Sequence, residues 1–231
     1  MRILVLGVGK TGKLVAEVAA ERGHSVHVLD AKENKDAAAL TAPFVTGFDT
    51  VIDFTTPEAV IANMRACLAN GAKMVVGTTG WYERLPRAKE AAERKGASLL
   101  YGTNFSMGVQ LMLKMAETLT KELAGLDYHL SISETHHLTK LDAPSGTALT
   151  LRDVVRRACN MGDIPIKSVR HADAVGMHVL EAEHDGDRIL LTHESRSRRP
   201  FAEGAVRAAE WLVKAKPGVY DFREIFDQIG R

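Results

Sequence analysis

The sequence predicts an α/β protein: a Rossmann-type doubly wound parallel sheet followed by a second α+β domain built on an open mixed sheet. Three observations predict it. First, the apolar run Ile3 to Leu6 leads into Gly7-Val8-Gly9-Lys10-Thr11-Gly12 and then into a helical period through Leu14, Val15, Val18 and Ala19, a strand, glycine turn and helix in succession. Second, short apolar runs alternate with helical patterns as far as Tyr101, as parallel strands joined by crossover helices do. Third, the period changes from 3.6 to 2 at Tyr128, where Tyr128, Leu130 and Ile132 alternate with His129, Ser131 and Ser133, the pattern of a half-buried strand. These readings divide the chain at about 105/106.

Composition narrows the function classes. At 231 residues, with 45% hydrophobic and 26% charged residues, the chain is long enough for a sizeable core and ordinary for a globular protein. A net charge of +1 argues against a nucleic-acid or membrane-surface binder. There is no run of 18 apolar residues and no leader pattern before the first strand, so a cytoplasmic protein without a membrane partner is expected. Cys67 and Cys159 have neither CxxC nor Cys/His spacing; they read as buried thiols, and no metal site is expected.

In the first domain, the glycine turn Gly7 to Gly12 suits close approach of a pyrophosphate to a helix N-terminus. A second strand, Ser25 to Leu29, ends in Asp30, placed to accept from an adenosine ribose hydroxyl. Val51 to Phe54 is a third strand, and Thr55-Thr56-Pro57 opens a helix through Val60, Ile61, Met64 and Leu68. Lys73 to Val76 is the fourth, with Gly77-Thr78-Thr79-Gly80 as its exit. Trp81 to Lys95 reads as helix and Ser98 to Tyr101 as strand. Ligands of such a sheet bind beyond the carboxyl ends of its strands, where these turns lie.

In the second domain, Ser106 to Leu123 is an amphipathic helix and the Tyr128 strand delivers Glu134-Thr135-His136-His137. His136, His137 and Lys140 are residue types that move protons near neutral pH or hold a carboxylate. Ser145, Gly146 and Thr147 form a helix start whose first-turn amides make an anion site. A small, doubly acidic ligand fits the combination; a polar surface loop with a capped helix behind it is the plainer reading. That helix runs to about Cys159. Three strand-like segments follow, Ile166 to Ala174, His178 to His184 and Arg188 to Glu194, the last two joined by an Asp185-Gly186 hairpin signal. Arg196, Arg198 and Arg199 then precede a helix from about Glu203 to Lys214, and Val219 to Ile229 reads as a short closing helix.

The stretch from Glu134 to Ala148, ETHHLTKLDAPSGTA, resembles the E-x-H-H-x-x-K-x-D-A-P-S-G-T-A pattern of dihydrodipicolinate reductases at every fixed position. VIDFTTP, GTTG, GTNFSMGV and SRSRRPFAEGAVRAAEWL resemble further segments of that family. The resemblance implies a dinucleotide-binding domain of 1–105 to which a tail of about 203–231 returns, and a substrate-binding and oligomerisation domain of 106–202. It implies hydride transfer from NADH, or NADPH, to a dihydrodipicolinate-type cyclic imine in the lysine and diaminopimelate pathway, in a homo-oligomer, a tetramer or a dimer. His136 would donate the proton and Lys140 would stabilise charge near the ring nitrogen. His137, Ser145, Gly146, Thr147 and Arg198 would hold the dicarboxylate, with Glu134 and Asp142 orienting the loop. Besides the glycine turn (Gly7, Val8, Gly9, Lys10, Thr11, Gly12) and Asp30, the cofactor would meet Phe54, Thr55, Gly77, Thr78, Thr79, Gly102, Thr103, Asn104 and Phe105.

Two departures from the family pattern stand out. The connection after the SGT helix is compressed to Asn160 to Lys167, and Ala172 stands for a glycine in the family's S-x-R-x-G-x-x-x-G-x-H segment, Ser168 to His178. Both are expected in the region of subunit contacts. Two other classes share parts of the pattern: an aspartate dehydrogenase-like enzyme, and a nucleotide-sensing module without catalysis.

Overall fold

A computed structural model describes residues 1–140, 142–159, 162–172 and 174–229. The chain forms two compact units, Met1–Ser106 with Arg199–Arg231, and Met107–Arg198. In chain order the first unit begins with β1 (Arg2–Leu6), α1 (Lys10–Glu21), β2 (Ser25–Leu29), α2 (Ala42–Val45), β3 (Thr50–Asp53), α3 (Pro57–Ala69), β4 (Lys73–Val76), α4 (Leu85–Lys95) and β5 (Ser98–Tyr101). The second contains α5 (Met107–Glu122), β6 (His129–His136), α6 (Gly146–Cys159), β7 (Ile166–Arg170), β8 (Gly176–Glu183) and β9 (Arg188–Ser195). The chain returns to the first unit with α7 (Arg199–Lys214), β10 (Gly218–Asp221) and α8 (Phe222–Ile225).

The first unit is a six-stranded, wholly parallel sheet in the order β10-β5-β4-β3-β1-β2. Its central strands are continuous apolar runs, with Ile3, Leu4, Val5, Ile52, Val75, Leu99 and Leu100 all fully buried, because helices cover both faces of a parallel sheet. The Val219 to Ile229 segment corrects the sequence reading: Gly218–Asp221 is a strand paired to β5 from Ser98 to Tyr101. The change to helix comes at Asp221, whose Oδ1 accepts from Arg223 N at 2.9 Å, an N-cap that a four-residue strand gave no periodicity to reveal. Trp81 also lies outside the expected helix; it is buried and donates Nε1 to the Thr78 carbonyl at 2.8 Å, and a 3₁₀ turn over Tyr82–Arg84 precedes α4. Helix α7 starts at Arg199 rather than near Glu203, since Pro200 in the first turn has its φ already set for a helix.

The second unit is a four-stranded mixed sheet in the order β7-β6-β8-β9, with β6 parallel to β7 and antiparallel to β8. Its core joins Val109, Met112, Leu113 and Ala116 of α5 and Leu151, Val154 and Val155 of α6 to Leu130, Ile132 and Leu180 of the sheet. Asn160 and Met161, at the start of the compressed connection, and Asp173, in the glycine-poor segment, lie outside the described residues. Among the described residues, no helix is long and apolar enough to cross a membrane.

Candidate functional site

In the first unit the site is made by the turn after β1. Gly7 has φ +102°, and a Cβ there would lie 2.4 Å from the Phe54 carbonyl oxygen; a Cβ on Gly12 would lie 2.1 Å from the Gly7 carbonyl oxygen. Both positions are closed to side chains by packing within the fold. Gly9 differs, because a Cβ there would meet nothing within 4 Å. Packing within the fold therefore does not require a glycine at this position, and Gly9 begins α1 without a side-chain cap, which leaves first-turn amides open.

Gly7, Val8, Gly9, Asp30, Phe54 and Thr55 line a cleft of about 500 Å³. A second hollow of about 320 Å³ shares Gly9, Phe54 and Thr55 with it and adds Lys10, Thr11, Gly77, Thr78 and Thr79. Gly12 lies behind the turn as packing. Gly102, Thr103, Asn104 and Phe105 line neither hollow; the Gly102 carbonyl accepts from the Tyr82 hydroxyl at 3.1 Å, and buried Phe105 packs on Phe222 with centroids 4.6 Å apart.

The residue that organises this cleft is Asp53, which the sequence reading passed over as the end of a strand. Its fully buried carboxylate accepts from Thr55 N at 2.9 Å, Thr55 Oγ1 at 2.7 Å, Thr78 Oγ1 at 2.8 Å and Asn63 Nδ2 at 2.8 Å. One side chain thus fixes the exits of β3 and β4 together. Burial pushes its carboxyl above the usual range against the pull of these donors. Asn63 Oδ1 in turn accepts from Asn34 Nδ2 at 3.0 Å, carrying the network to the Asp30 end. There Asp30 Oδ1 accepts from Lys32 N at 2.7 Å and Glu33 N at 2.9 Å, and these backbone donors hold its carboxyl low.

In the second unit the site grows from β6. Alternation places Leu130, Ile132, Glu134 and His136 on one buried face, and the apolar pair is simply continued by two chemical groups. The Glu134 carboxylate accepts from Ser145 N at 3.1 and 3.2 Å and from Ser168 Oγ at 2.8 Å, with Arg170 Nη1 at 3.7 Å. Burial pushes its carboxyl up, but the Ser145 and Ser168 donors outweigh it and the net shift is downward. Ser145 Oγ shares a proton with His178 Nε2 at 3.2 Å and accepts from Ala148 N at 3.2 Å, the N-cap of α6. Ser145 is therefore engaged inward. Gly146 leaves open space where a Cβ would stand, and Thr147 follows it on the same first turn, buried.

His136 is buried with Nδ1 3.4 Å from Glu134 Oε2, and burial pushes its pKa down to about 4, opposed by Glu134 and helped by Lys140 and Arg170. His178, edge-on to it at 5.1 Å between centroids, is pushed to about 4 mainly by burial. Both imidazoles are neutral at pH 7. On the rim, His137 Nδ1 meets Thr139 Oγ1 at 2.8 Å, and Lys140 Nζ pairs with Asp142 Oδ1 at 2.6 Å. Asp142, raised by burial but lowered further by Lys140 and by the Gly146 amide, stays ionised. An ammonium and a helix-start amide therefore already converge on a carboxylate. Leu141, inside this stretch, lies outside the described residues. Arg198 follows β9 closely, and β9 brings Ser195 opposite Gly176, where a Cβ would come within 3.1 Å of His136 Nε2.

Glu134, His136 and His178 have ligand atoms within 4.8 Å of one another, a spacing open to a metal. The carboxylate already accepts from Ser145 and Ser168, and the Arg170 guanidinium 3.7 Å from it opposes a cation. The Ser168 to His178 segment, read from the sequence as assembly surface, supplies Ser168, Arg170, Gly176 and His178 to this site. Arg170 also donates Nη2 to the Asp142 carbonyl at 2.6 Å and Nε to the Lys140 carbonyl at 3.3 Å. The spaced S-x-R and G-x-H were the available signal.

Known proteins match along the whole chain. The family model described as dihydrodipicolinate reductase, N-terminus, covers residues 1–105, and that described as dihydrodipicolinate reductase, C-terminus, covers 108–226. A 4-hydroxy-tetrahydrodipicolinate reductase of Christiangramia forsetii is 33% identical over 243 residues, 99% of each chain. One of Magnetococcus marinus is 38% identical over 196 residues, 77% of this chain and 72% of that one. Among solved structures, a dipicolinate-bound dihydrodipicolinate reductase from Paenisporosarcina sp. TG-14 has a TM-score of 0.75 at 24% identity, over 97% of this chain and 99% of the other. An amine dehydrogenase from Mycobacterium smegmatis, at TM-score 0.67 and 12% identity over 100% and 96% of the two chains, shares the fold.

Proposed function

The chain belongs to the dihydrodipicolinate reductase family, and from that premise we propose how its own residues carry out the reaction. It is an NAD(P)H-dependent oxidoreductase of the lysine and diaminopimelate pathway, and the aspartate dehydrogenase-like and non-catalytic readings are not favoured. The cofactor supplies hydride. The cleft of Gly7 to Gly9, Asp30, Phe54 and Thr55 receives it, with its pyrophosphate at the start of α1 and its ribose at Asp30. An ionised Asp30 accepts from a ribose 2′-hydroxyl and repels a 2′-phosphate, which favours NADH over NADPH.

The substrate is a cyclic imine dicarboxylate. One carboxylate takes the place that Asp142 now holds against Lys140 and the Gly146 amide, with Thr147 and His137 beside it, and Arg198 clamps the other. His136 supplies the proton to the reduced ring. It does so although neutral without ligand, because two incoming carboxylates raise its pKa as Glu134 already does. Lys140 stabilises the charge that develops near the ring nitrogen. The observation that carries this reading is the convergence of His136 and the Ser145-capped start of α6 on Glu134, with Lys140 and the Gly146 amide on Asp142 close enough to act on His136. The enzyme acts in the cytoplasm as a homotetramer or a dimer. The test is an assay with freshly generated dihydrodipicolinate, followed by loss of nicotinamide absorbance; no turnover with either cofactor would overturn it, and light scattering that shows a monomer at micromolar concentration would overturn the assembly.

A further inference from the structure

Half-buried Thr55, in the turn after β3, lines both the cofactor cleft and the hollow beside it. A threonine hydroxyl can donate one hydrogen and accept two. Here the direction is set from behind. Thr55 Oγ1 and Thr78 Oγ1 lie 2.7 and 2.8 Å from the same Asp53 Oδ1, and an ionised carboxylate only accepts, so both hydrogens go to it. The other carboxylate oxygen accepts from Asn63 Nδ2, while Asn63 Oδ1 accepts from Asn34 Nδ2; the amide therefore turns only N–H toward Asp53. Buried Thr78 Oγ1 already accepts from Thr55 N at 2.8 Å. Thr55 Oγ1, by contrast, accepts from no donor among the described residues.

The other side of the cleft has the opposite polarity. Helix α1 starts at uncapped Gly9, whereas α3 starts behind Thr56, whose Oγ1 accepts from Ala59 N at 3.4 Å. The open first-turn amides lie at α1, and the Thr55 side offers an acceptor with a carboxylate directly behind it. A phosphate oxygen at Thr55 Oγ1 would set lone pair against lone pair, because the only hydrogen there is held by Asp53. A ribose hydroxyl or the carboxamide N–H of nicotinamide meets the same oxygen as a donor. We propose that Asp53 is a positioning residue for the cofactor: by taking the hydroxyl hydrogens of Thr55 and Thr78 it makes Thr55 an acceptor, and so sets the direction of the dinucleotide, phosphates toward α1 and an N–H or O–H of the nicotinamide half on Thr55. This rests on the reading of the cleft as the cofactor site.

The experiment titrates the full chain with NADH by fluorescence, beside the acetylpyridine analogue of NADH, whose ring carries an acetyl group in place of the carboxamide. Thr55→Val removes the acceptor and should weaken NADH about tenfold, whereas Thr55→Ser keeps the hydroxyl and its hydrogen on Asp53 and should stay within about twofold of the parent. Asp53→Asn places an N–H among these donors, frees a hydroxyl hydrogen and should weaken NADH at least about tenfold. Thr55→Val added to Asp53→Asn should then cost no more than about twofold, because the acceptor it removes is already lost; a purely structural role of Asp53 would leave the two changes additive. A loss in Thr55→Val confined to NADH assigns the carboxamide as the donor, and an equal loss with the analogue assigns a ribose hydroxyl; either supports the proposal. NADH affinity unchanged in Thr55→Val, Thr55→Ser as weak as Thr55→Val, or additive effects of the two substitutions would each overturn it. The Val and Ser comparison needs no change at Asp53 and decides alone if Asp53→Asn does not fold. A parent that binds no NADH at millimolar concentration would instead remove the cofactor reading on which the proposal stands.

Discussion

Oε2 of Glu134 lies 3.4 Å from Nδ1 of His136, both side chains buried on one face of β6, close enough to pair but without the alignment of a hydrogen bond. The Glu134 charge there partly offsets the burial that holds His136 neutral. Binding of a dicarboxylate should add negative charge and draw a proton onto the ring. Titration with dipicolinate in buffers of different ionisation enthalpy should therefore show net proton uptake at pH 7, absent in His136→Gln. Binding without proton exchange would remove His136 as the group that charges.

The catalytic roles predict a split among substitutions. His136→Gln and Lys140→Ala remove interactions that strengthen as charge develops, and turnover should fall roughly 10²- to 10⁴-fold with the fold intact. Arg198→Ala weakens ground-state and transition-state binding alike, so its main effect should be a raised KM. Near-normal turnover in both of the first two variants on the correct substrate would disprove the assignment.

Cofactor preference turns on Asp30. Asp30→Asn keeps an oxygen for the Lys32 and Glu33 amides while removing the charge. The parent enzyme should prefer NADH about tenfold, or about 1.4 kcal/mol, a modest margin because Lys35 also lines the cleft. The variant should lose most of it. Comparison of kcat/KM for the two cofactors decides, and a parent that favours NADPH would refute the role of Asp30.

Much of this was legible in the sequence where periodicity and fixed spacing carry the information. The glycine turn, the β6 alternation and the Ser145 helix start are local patterns, and each local residue set decides its own structure. Asp53, Asn63, Arg170 and His178 were not legible as site residues, because their roles arise from contacts such as Asn63 to Asp53 and His178 to Ser145 that only tertiary folding creates. The β10 strand was hidden for a related reason. Its four residues join β5 from more than a hundred positions away, and so short a strand has too little pattern to declare itself.

The buried imidazole of His178 predicts a pH-dependent stability. Its folded pKa of about 4 lies below the unfolded value of 6.5, so the unfolded chain binds the proton more readily between those values. The stability it contributes is full above pH 6.5 and is lost as pH falls toward 4. At pH 5 the loss from this group should be roughly 2 kcal/mol, with His136, Glu134, His193 and Lys140 facing it and shaping the slope. Urea midpoints at pH 7.5 and 5 should converge in His178→Gln relative to the parent. An equal drop in both proteins would assign the effect to other groups.

Ala172 occupies a backbone conformation with φ +36°, the left-handed side that favours glycine, while its carbonyl accepts from Leu138 N at 3.2 Å beside the His137 loop. A Cβ in that region costs about 1–2 kcal/mol, and replacing alanine by glycine adds about 0.4–1 kcal/mol of unfolded-state entropy. Ala172→Gly should therefore stabilise the protein by roughly 0.5–1 kcal/mol. That corresponds to a rise of about 1–4 °C in Tm for a chain of this size. Turnover should stay unchanged, because the carbonyl that holds Leu138 is kept. A fall in Tm on Ala172→Gly would show that the methyl group contributes packing that outweighs the backbone strain.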